Sequence, residues 1–115
     1  MTYQQIANMI ESIGLPATYY QFANNTWQQP PFICYYFDSS DGFAADDQIY
    51  AEDTELTIEL YTETKDFYLE QAVKSALNAA GLPWSRTEAW INSERMFQVT
   101  FTTSVIVEEY IDESE

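Results

Sequence analysis

The stretch LTIELYTETKD, residues 56–66, decides the fold because it joins the pattern of a strand to the start of a helix. Leu56, Ile58 and Leu60 alternate with Thr, Glu and Tyr, which is the two-residue period of a strand with one buried face. Asp66 is a good N-cap, and apolar residues recur behind it at helical spacing: Leu69, Val73, Ala76, Leu77 and Ala80. Gly81 ends this helix. A half-buried strand that leads into an amphipathic helix predicts an α+β domain.

The first third of the chain predicts one helix and two strands. Thr2 is a suitable N-cap, and Ile6 and Ile10 lie on one face of a helix predicted over residues 3–13, which Gly14 ends. Residues 18–22 predict a short strand. The apolar run FICYYF, residues 32–37, predicts a strand that is covered on both faces.

A polar and acidic stretch then separates this strand from the one at 56–61. DSSDG, residues 38–42, has the composition of a turn. Residues 43–53 predict a long acidic connection, with a short strand near Ile49 and Tyr50.

The end of the chain predicts a hairpin, with arms at 84–91 and 95–107 around a turn at 92–94. On the second arm the apolar residues share one face, namely Phe97, Val99, Phe101, Val105 and Val107. The predicted order is α-β-β-β-α-β-β, an antiparallel or mixed sheet of about five strands packed with two helices. Residues 1–107 form a single domain in this prediction, and residues 108–115 form a flexible acidic tail.

The charge of the chain is strongly negative and unevenly distributed. The chain has nineteen acidic and four basic residues, which gives a net charge of −15, and its first basic residue is Lys65. The acidic residues are concentrated between residues 38 and 55 and again in residues 108–115. Phosphates and anionic lipids bind Lys and Arg, so we expect neither direct nucleic-acid binding nor membrane association.

The residue types that usually carry catalysis are scarce. The chain has no histidine, and its one cysteine, Cys34, lies inside an apolar run. The acidic stretch offers Asp38, Asp41, Asp46 and Asp47 as candidate oxygen ligands for calcium. With Gly42 as the loop glycine, an EF-hand would begin at Phe37, which offers no carboxylate. We expect a solvated acidic loop, no catalytic or metal site, no cofactor and no enzyme activity. A lone cysteine favours the reducing cytoplasm.

Four segments carry a resemblance to a known family. They are FAADDQIY (43–50), IELYTETKD (58–66), WSRTEAWI (84–91) and SERMFQV (93–99). Together they resemble a family of small acidic proteins of tailed phages and prophages of Gram-positive bacteria, described as tail-component or head–tail joining proteins. The resemblance spans roughly residues 31–107, and ELYT followed by KD is its most specific part. The family has a glycine near the position of Asp47, so this loop departs from its pattern.

The resemblance implies a structural virion protein with an α+β fold, no cofactor and no catalytic residues. It implies a tail terminator, or another head–tail joining subunit, that forms a homo-oligomeric ring and binds the tail tube and the head connector. The resemblance implies that the protein is located in the host cytoplasm during assembly and at the head–tail junction of the virion. A free monomer in dilute buffer is also compatible with the charge.

Two patches are candidates for the ring interface. One is the Thr-rich face of the terminal hairpin with Trp84 and Trp90, and the other is the acidic connection with Phe43, Ile49 and Tyr50. A head-completion subunit is an alternative within the same class. A different class is an acidic nucleic-acid mimic that inhibits a host DNA-binding protein, for which carboxylates should stand in rows on strands or helices.

Overall fold

The computed structural model describes residues 1–20, 28–45 and 48–108, with the backbone alone at 43–45 and 48–50. Its helices are α1 (Tyr3–Glu11) and α2 (Phe67–Ala79), and its strands are β1 (Ala17–Tyr19), β2 (Phe32–Ala45), β3 (Gln48–Thr62), β4 (Trp84–Ile91) and β5 (Met96–Val107). The sheet order is β1-β2-β3-β5-β4. β1 runs parallel to β2 and the other neighbours are antiparallel, so the sheet is mixed. The predicted α+β class and order of elements are confirmed.

Both helices begin at a capping side chain and end close to a glycine. Thr2 and Gln5 form a reciprocal capping box at the start of α1. The Asp66 side chain accepts a hydrogen bond from the backbone N–H of Leu69 at 3.0 Å. Gly14 and Gly81 have φ of 91° and 72°, the left-handed conformation that ends a helix. The predicted caps and stops are confirmed, although α1 ends two residues earlier than predicted.

The two helices cover the same face of the sheet, which we call the helix face. Its core is a single apolar cluster, in which the most deeply buried residues are Ile6, Ile10, Ile33, Leu56, Ile58, Leu60, Val73, Leu77, Val99, Phe101 and Val105. The opposite face, called the open face, carries Cys34, Thr57, Glu59, Tyr61 and Gln98. No helix among the described residues packs on it. A sheet with one buried face explains the alternation along β3 and β5.

The prediction of a turn at 38–42 and a connection at 43–53 is wrong for the described residues, although the strand predicted near Ile49 and Tyr50 lies within β3. β2 continues to Ala45 and β3 begins at Gln48, so these residues form a long hairpin. An irregularity at Asp38 accommodates one extra residue in β2, and beyond it Ser40 and Thr54 share a hydrogen bond of 3.0 Å between their hydroxyls. Pairing with β3, itself held by β5, outweighs the local turn preference of Asp, Ser and Gly.

The strand predicted at 18–22 is shorter and begins earlier in the structure. β1 ends at Tyr19, and Tyr20 has a φ of 69°, which no regular strand adopts. Residues 21–27, Asp46, Asp47 and residues 109–115 lie outside the described residues, and so do the predictions that concern them. Within the described ranges no helix is long and apolar enough to cross a membrane.

Candidate interaction surfaces

The structure separates the two tryptophans from the Thr-rich face of the terminal hairpin. Trp84 lies opposite Thr103 and Trp90 opposite Phe97, both on the helix face, whereas Thr100 and Thr102 lie on the open face. These residues therefore do not form the single patch predicted from the sequence.

The two tryptophans also differ in how firmly they are held. The Trp84 indole Nε1 donates to Asn78 Oδ1 at 3.0 Å, and its ring packs edge-on against Phe101. Trp90 contacts Phe97 in a T-shaped arrangement and remains 46% exposed. Trp84 thus packs within the subunit and is only partly exposed, whereas Trp90 is the more exposed tryptophan.

The other predicted interface residues lie near the tip of the β2–β3 hairpin. Phe43 pairs with Ala51 and Ala44 with Ile49 in the backbone register, and Tyr50 lies between these two pairs. The side chains of Phe43, Ile49 and Tyr50 lie outside the described residues. Since β5 stops pairing with β3 at Glu52, residues 43–45 and 48–51 extend beyond β5 as a two-stranded ribbon.

The open face carries a row of carboxylates on two neighbouring strands. The register places Asp41 of β2 and Asp53, Glu55 and Glu59 of β3 on this face. Asp38 of β2 has no partner in the register, but its carboxylate accepts a hydrogen bond from Thr57 on the same face. Asp41 lies directly opposite Asp53, a like-charge pair that destabilises a ladder. A shallow groove of about 400 Å³ runs beside them, with Ser85, Thr102 and Ser104 on its other wall. In the strands as described, no basic side chain stands on this face.

A hydrogen-bonded cluster of Glu59, Tyr61 and Gln98 lies further along the open face. The Gln98 amide donates to Glu59 Oε2 at 2.8 Å and to the Tyr61 hydroxyl at 2.7 Å. The Tyr61 hydroxyl donates to Glu59 Oε1 at 3.2 Å, and its ring stacks on Phe32. Burial, and then the charge of Asp38, raise the pKa of Glu59, although the bond from Tyr61 opposes this. The sequence showed only a strand pattern here, because these contacts join distant positions.

An ionic cluster joins α2 to β4 on the helix face. The side chain of Glu70 is only 4% exposed. Its carboxylate forms an ion pair with Arg86 Nη2 at 2.6 Å and another with Lys65. Glu88 binds the same two cations, with Arg86 at 2.5 Å. Hydrogen bonds from Lys65 and then Arg86 hold the pKa of Glu88 below its usual range. Glu70 stands on the core side of α2 among apolar positions, a mismatch that could have indicated a buried partner.

An aromatic groove of about 360 Å³ lies where α1 meets the β1 edge of the sheet. Tyr3, Tyr19, Tyr35 and Phe37 line it, with ring centroids 5.1 to 5.7 Å apart in the pairs that touch. The Tyr19 hydroxyl accepts the backbone N–H of Phe37 at 3.3 Å. A side chain thereby takes the place of a neighbouring strand where β1 has ended.

The described residues hold no group of side chains arranged to bind a metal ion. Asp38, one of the ligands considered from the sequence, instead accepts a hydrogen bond from the Thr57 hydroxyl at 2.8 Å. Cys34 is buried on the open face, and burial followed by the charge of Glu59 raises its pKa to about 11. Its thiol is therefore protonated at neutral pH and a poor nucleophile.

No protein-family model matches the chain, and no curated protein matches it in sequence.

Proposed function

We propose that this chain is a structural subunit of a phage tail, a tail terminator or other head–tail joining protein that assembles into a ring. The observation that carries the proposal is the acidic open face, on which the described strands place five carboxylates and no basic side chain. The family resemblance of residues 31–107 supports it from the sequence side.

The acidic face suits a surface that lines a channel for DNA. Carboxylates repel the phosphates of a passing duplex, so the duplex slides past without binding. The helices would then lie on the outside of the ring, because they cover the other side of the sheet.

The β2–β3 ribbon is the element best placed to reach a neighbouring protein. It extends past the end of β5, and the residues at its tip include Phe43, Ile49 and Tyr50. Apolar residues on a projecting ribbon can dock on the next subunit or on the tail tube, as a heterologous ring contact requires.

The test combines mass in solution with electron microscopy of the purified protein, alone and with tail tubes. We expect rings that cap the tubes, and Phe43→Ala or Tyr50→Ala should weaken capping. Tyr20→Ala is the matched control, because Tyr20 is an exposed aromatic residue away from the ribbon. Failure to bind tubes at any salt or protein concentration would contradict the proposal.

A nucleic-acid mimic is the second candidate, and the position of the acidic residues favours it. Residues 38–45 and 48–55 are strands rather than a loop, so Asp41, Asp53 and Glu55 stand on a sheet face. Carboxylates in rows on strands are what a mimic of the phosphate backbone requires.

Displacement of labelled DNA from basic DNA-binding proteins tests the mimic by fluorescence anisotropy. The double variant Asp41→Asn with Asp53→Asn should displace less DNA than the wild type. Glu63→Gln with Glu94→Gln removes the same charge elsewhere and should displace as much as the wild type. Displacement without tube binding would favour the mimic over the ring subunit.

A further inference from the structure

β4 is an edge strand of the sheet that the described residues form. It pairs with β5 only, and no described strand lies on its other side. Ile33 donates to the Pro16 carbonyl and Tyr35 accepts from Tyr20, so both residues direct their peptide groups toward β1. The peptide groups of successive residues in a strand point alternately toward its two neighbouring strands. When this alternation is followed through the antiparallel registers from β2 to β4, the N–H and C=O groups of the even-numbered residues of β4 point outward.

The side chains at these even positions are complementary to their own sequence in the reverse direction. On the helix face β4 carries, in order, Trp84, Arg86, Glu88 and Trp90. A second copy of the strand laid antiparallel beside it, with Thr87 opposite Thr87, places Arg86 opposite Glu88 and Trp84 opposite Trp90. Every outward peptide group then meets an outward peptide group, as a hydrogen-bonded antiparallel ladder requires.

The charge of this region permits close approach of two copies. The hairpin of residues 84–107 has two basic and two acidic residues, in a chain whose net charge is −15. Charges on an edge strand usually keep other strands away. Here the order of the charges makes β4 complementary to a second copy of itself. Each Arg86 would lie opposite Glu88 of the other copy, and no charged residue would lie opposite one of the same sign.

We infer that two copies of this chain associate through β4 about a twofold axis at Thr87, which joins their sheets into one of ten strands. A twofold contact uses one patch twice, so this patch must complement itself. β4 does, whereas the acidic β2–β3 hairpin would meet its own negative charge.

The exposed aromatic residues beside β4 gain neighbours in this arrangement. Lys65 Nζ lies 4.9 Å from the ring centroid of Phe67 and 6.0 Å from that of Phe97, so the start of α2 lies at the Trp90 end of β4. Phe67 is 70% exposed in the single chain. The twofold axis brings Trp84 of the second copy to this end, where the three rings can remove one another from water.

The dimer does not depend on the proposed function. A ring closes through two different patches, whereas this contact joins β4 to itself, and in a virion it would be released or would join two rings. The two ideas can therefore fail separately.

Sedimentation equilibrium and light scattering across protein concentration, at moderate salt, test the dimer. The wild type should reach twice the mass of the chain. Thr87→Lys and Thr87→Glu should each be monomeric, because residue 87 meets its own copy on the axis. Mixing the two variants should restore a dimer, since Lys then faces Glu. Ser39→Lys carries the same charge change on β2 and should dimerise like the wild type.

A second measurement does not depend on the charged variants. In an antiparallel ladder the two Thr87 Cα atoms would be about 4.5 Å apart, within the range of a disulfide. Thr87→Cys should therefore give a covalent dimer under mild oxidation, while Ser39→Cys should not. Cys34 is buried and its thiol protonated, so it should not compete.

Three results would overturn the inference: a wild type that stays monomeric, a Thr87→Lys variant that still dimerises, or mixed variants that fail to pair. Rings that cap tail tubes, formed by a protein whose Thr87→Cys variant gives no covalent dimer, would support the proposed function and remove the inference. A dimer that never binds tail tubes would leave the inference standing and remove the proposed function.

Discussion

Glu70 shows how a single buried carboxylate ties a helix to a strand. It stands in the first turn of α2, where a negative charge is favourable, and its partners Lys65 and Arg86 come from the preceding loop and from β4. Two of the four basic residues of the chain are used in this cluster. The few cations are thus placed where a buried charge needs them.

Glu70→Gln should lower the free energy of unfolding by about 2 kcal/mol, because Lys65 and Arg86 lose their buried carboxylate partner and keep only the more exposed Glu88. Urea denaturation at neutral pH measures the change. Glu94→Gln is the control, since Glu94 is exposed in the β4–β5 turn and loses the same charge. Equal stability of the two variants would show that the cluster contributes nothing.

Glu59 has the opposite character, since its charged form is unfavourable in the fold. A pKa raised in the folded state means that stability is fully present below the unfolded pKa and is lost as pH rises through the folded pKa. Glu59→Gln should remove that loss and stabilise the protein at neutral pH, by up to about 1 kcal/mol.

The gain from Glu59→Gln should disappear in acid, where Glu59 is protonated in both states. Melting temperatures of the variant and the wild type, from neutral pH to below the ordinary carboxyl pKa, measure this. Glu55→Gln serves as the control, because Glu55 is exposed on the same strand. A gain that persists unchanged at low pH would contradict the assignment to the charge of Glu59.

At the scale of elements, the ends of the helices and the lengths of the strands are determined by different parts of the chain. The ends of α1 and α2 follow from residues within a few positions, namely their caps and glycines. The length of β2 follows from β3, which pairs with it from residue 32 to residue 45. A turn-like composition therefore misleads when the partner strand continues alongside.

Gly81→Ala should destabilise the protein by about 1 kcal/mol, because an L-residue resists a φ of 72°. A Cβ at this position would meet nothing within 4 Å, so the backbone conformation alone sets the cost. Gly81→Asn should lose less, since Asn adopts the left-handed region more readily. Thermal unfolding compares the three proteins, and an alanine variant as stable as the wild type would refute the argument.

At the scale of the whole molecule, the dominant feature is uncompensated negative charge. The net charge of −15 is spread over an acidic open face and a tail, with few cations nearby. Self-repulsion of this kind opposes both folding and association.

Added sodium chloride should therefore raise the melting temperature, because screening acts over about 10 Å at 0.1 M. Differential scanning calorimetry from low to moderate salt measures the shift. A triple variant, Asp41→Asn, Asp53→Asn and Glu55→Gln, should show a smaller dependence on salt. A melting temperature that falls with salt would mean that the charges are mostly paired.

The sequence by itself determined the class of the fold, the order of its elements, the helix caps and the two faces of β5. These depend on periodicity and on neighbours a few residues away, which a chain displays directly. It also named Trp84 and Trp90 as candidates, without showing that Trp84 is held by Asn78 and Phe101.

Only the tertiary structure decided the rest. The hairpin at 38–55, the ionic cluster around Glu70 and the cluster of Glu59 with Gln98 all arise from residues far apart in the chain. The free edge of β4 likewise depends on where the sheet ends. Strand pairing sets these contacts, since the register of one strand is defined only by the strand beside it.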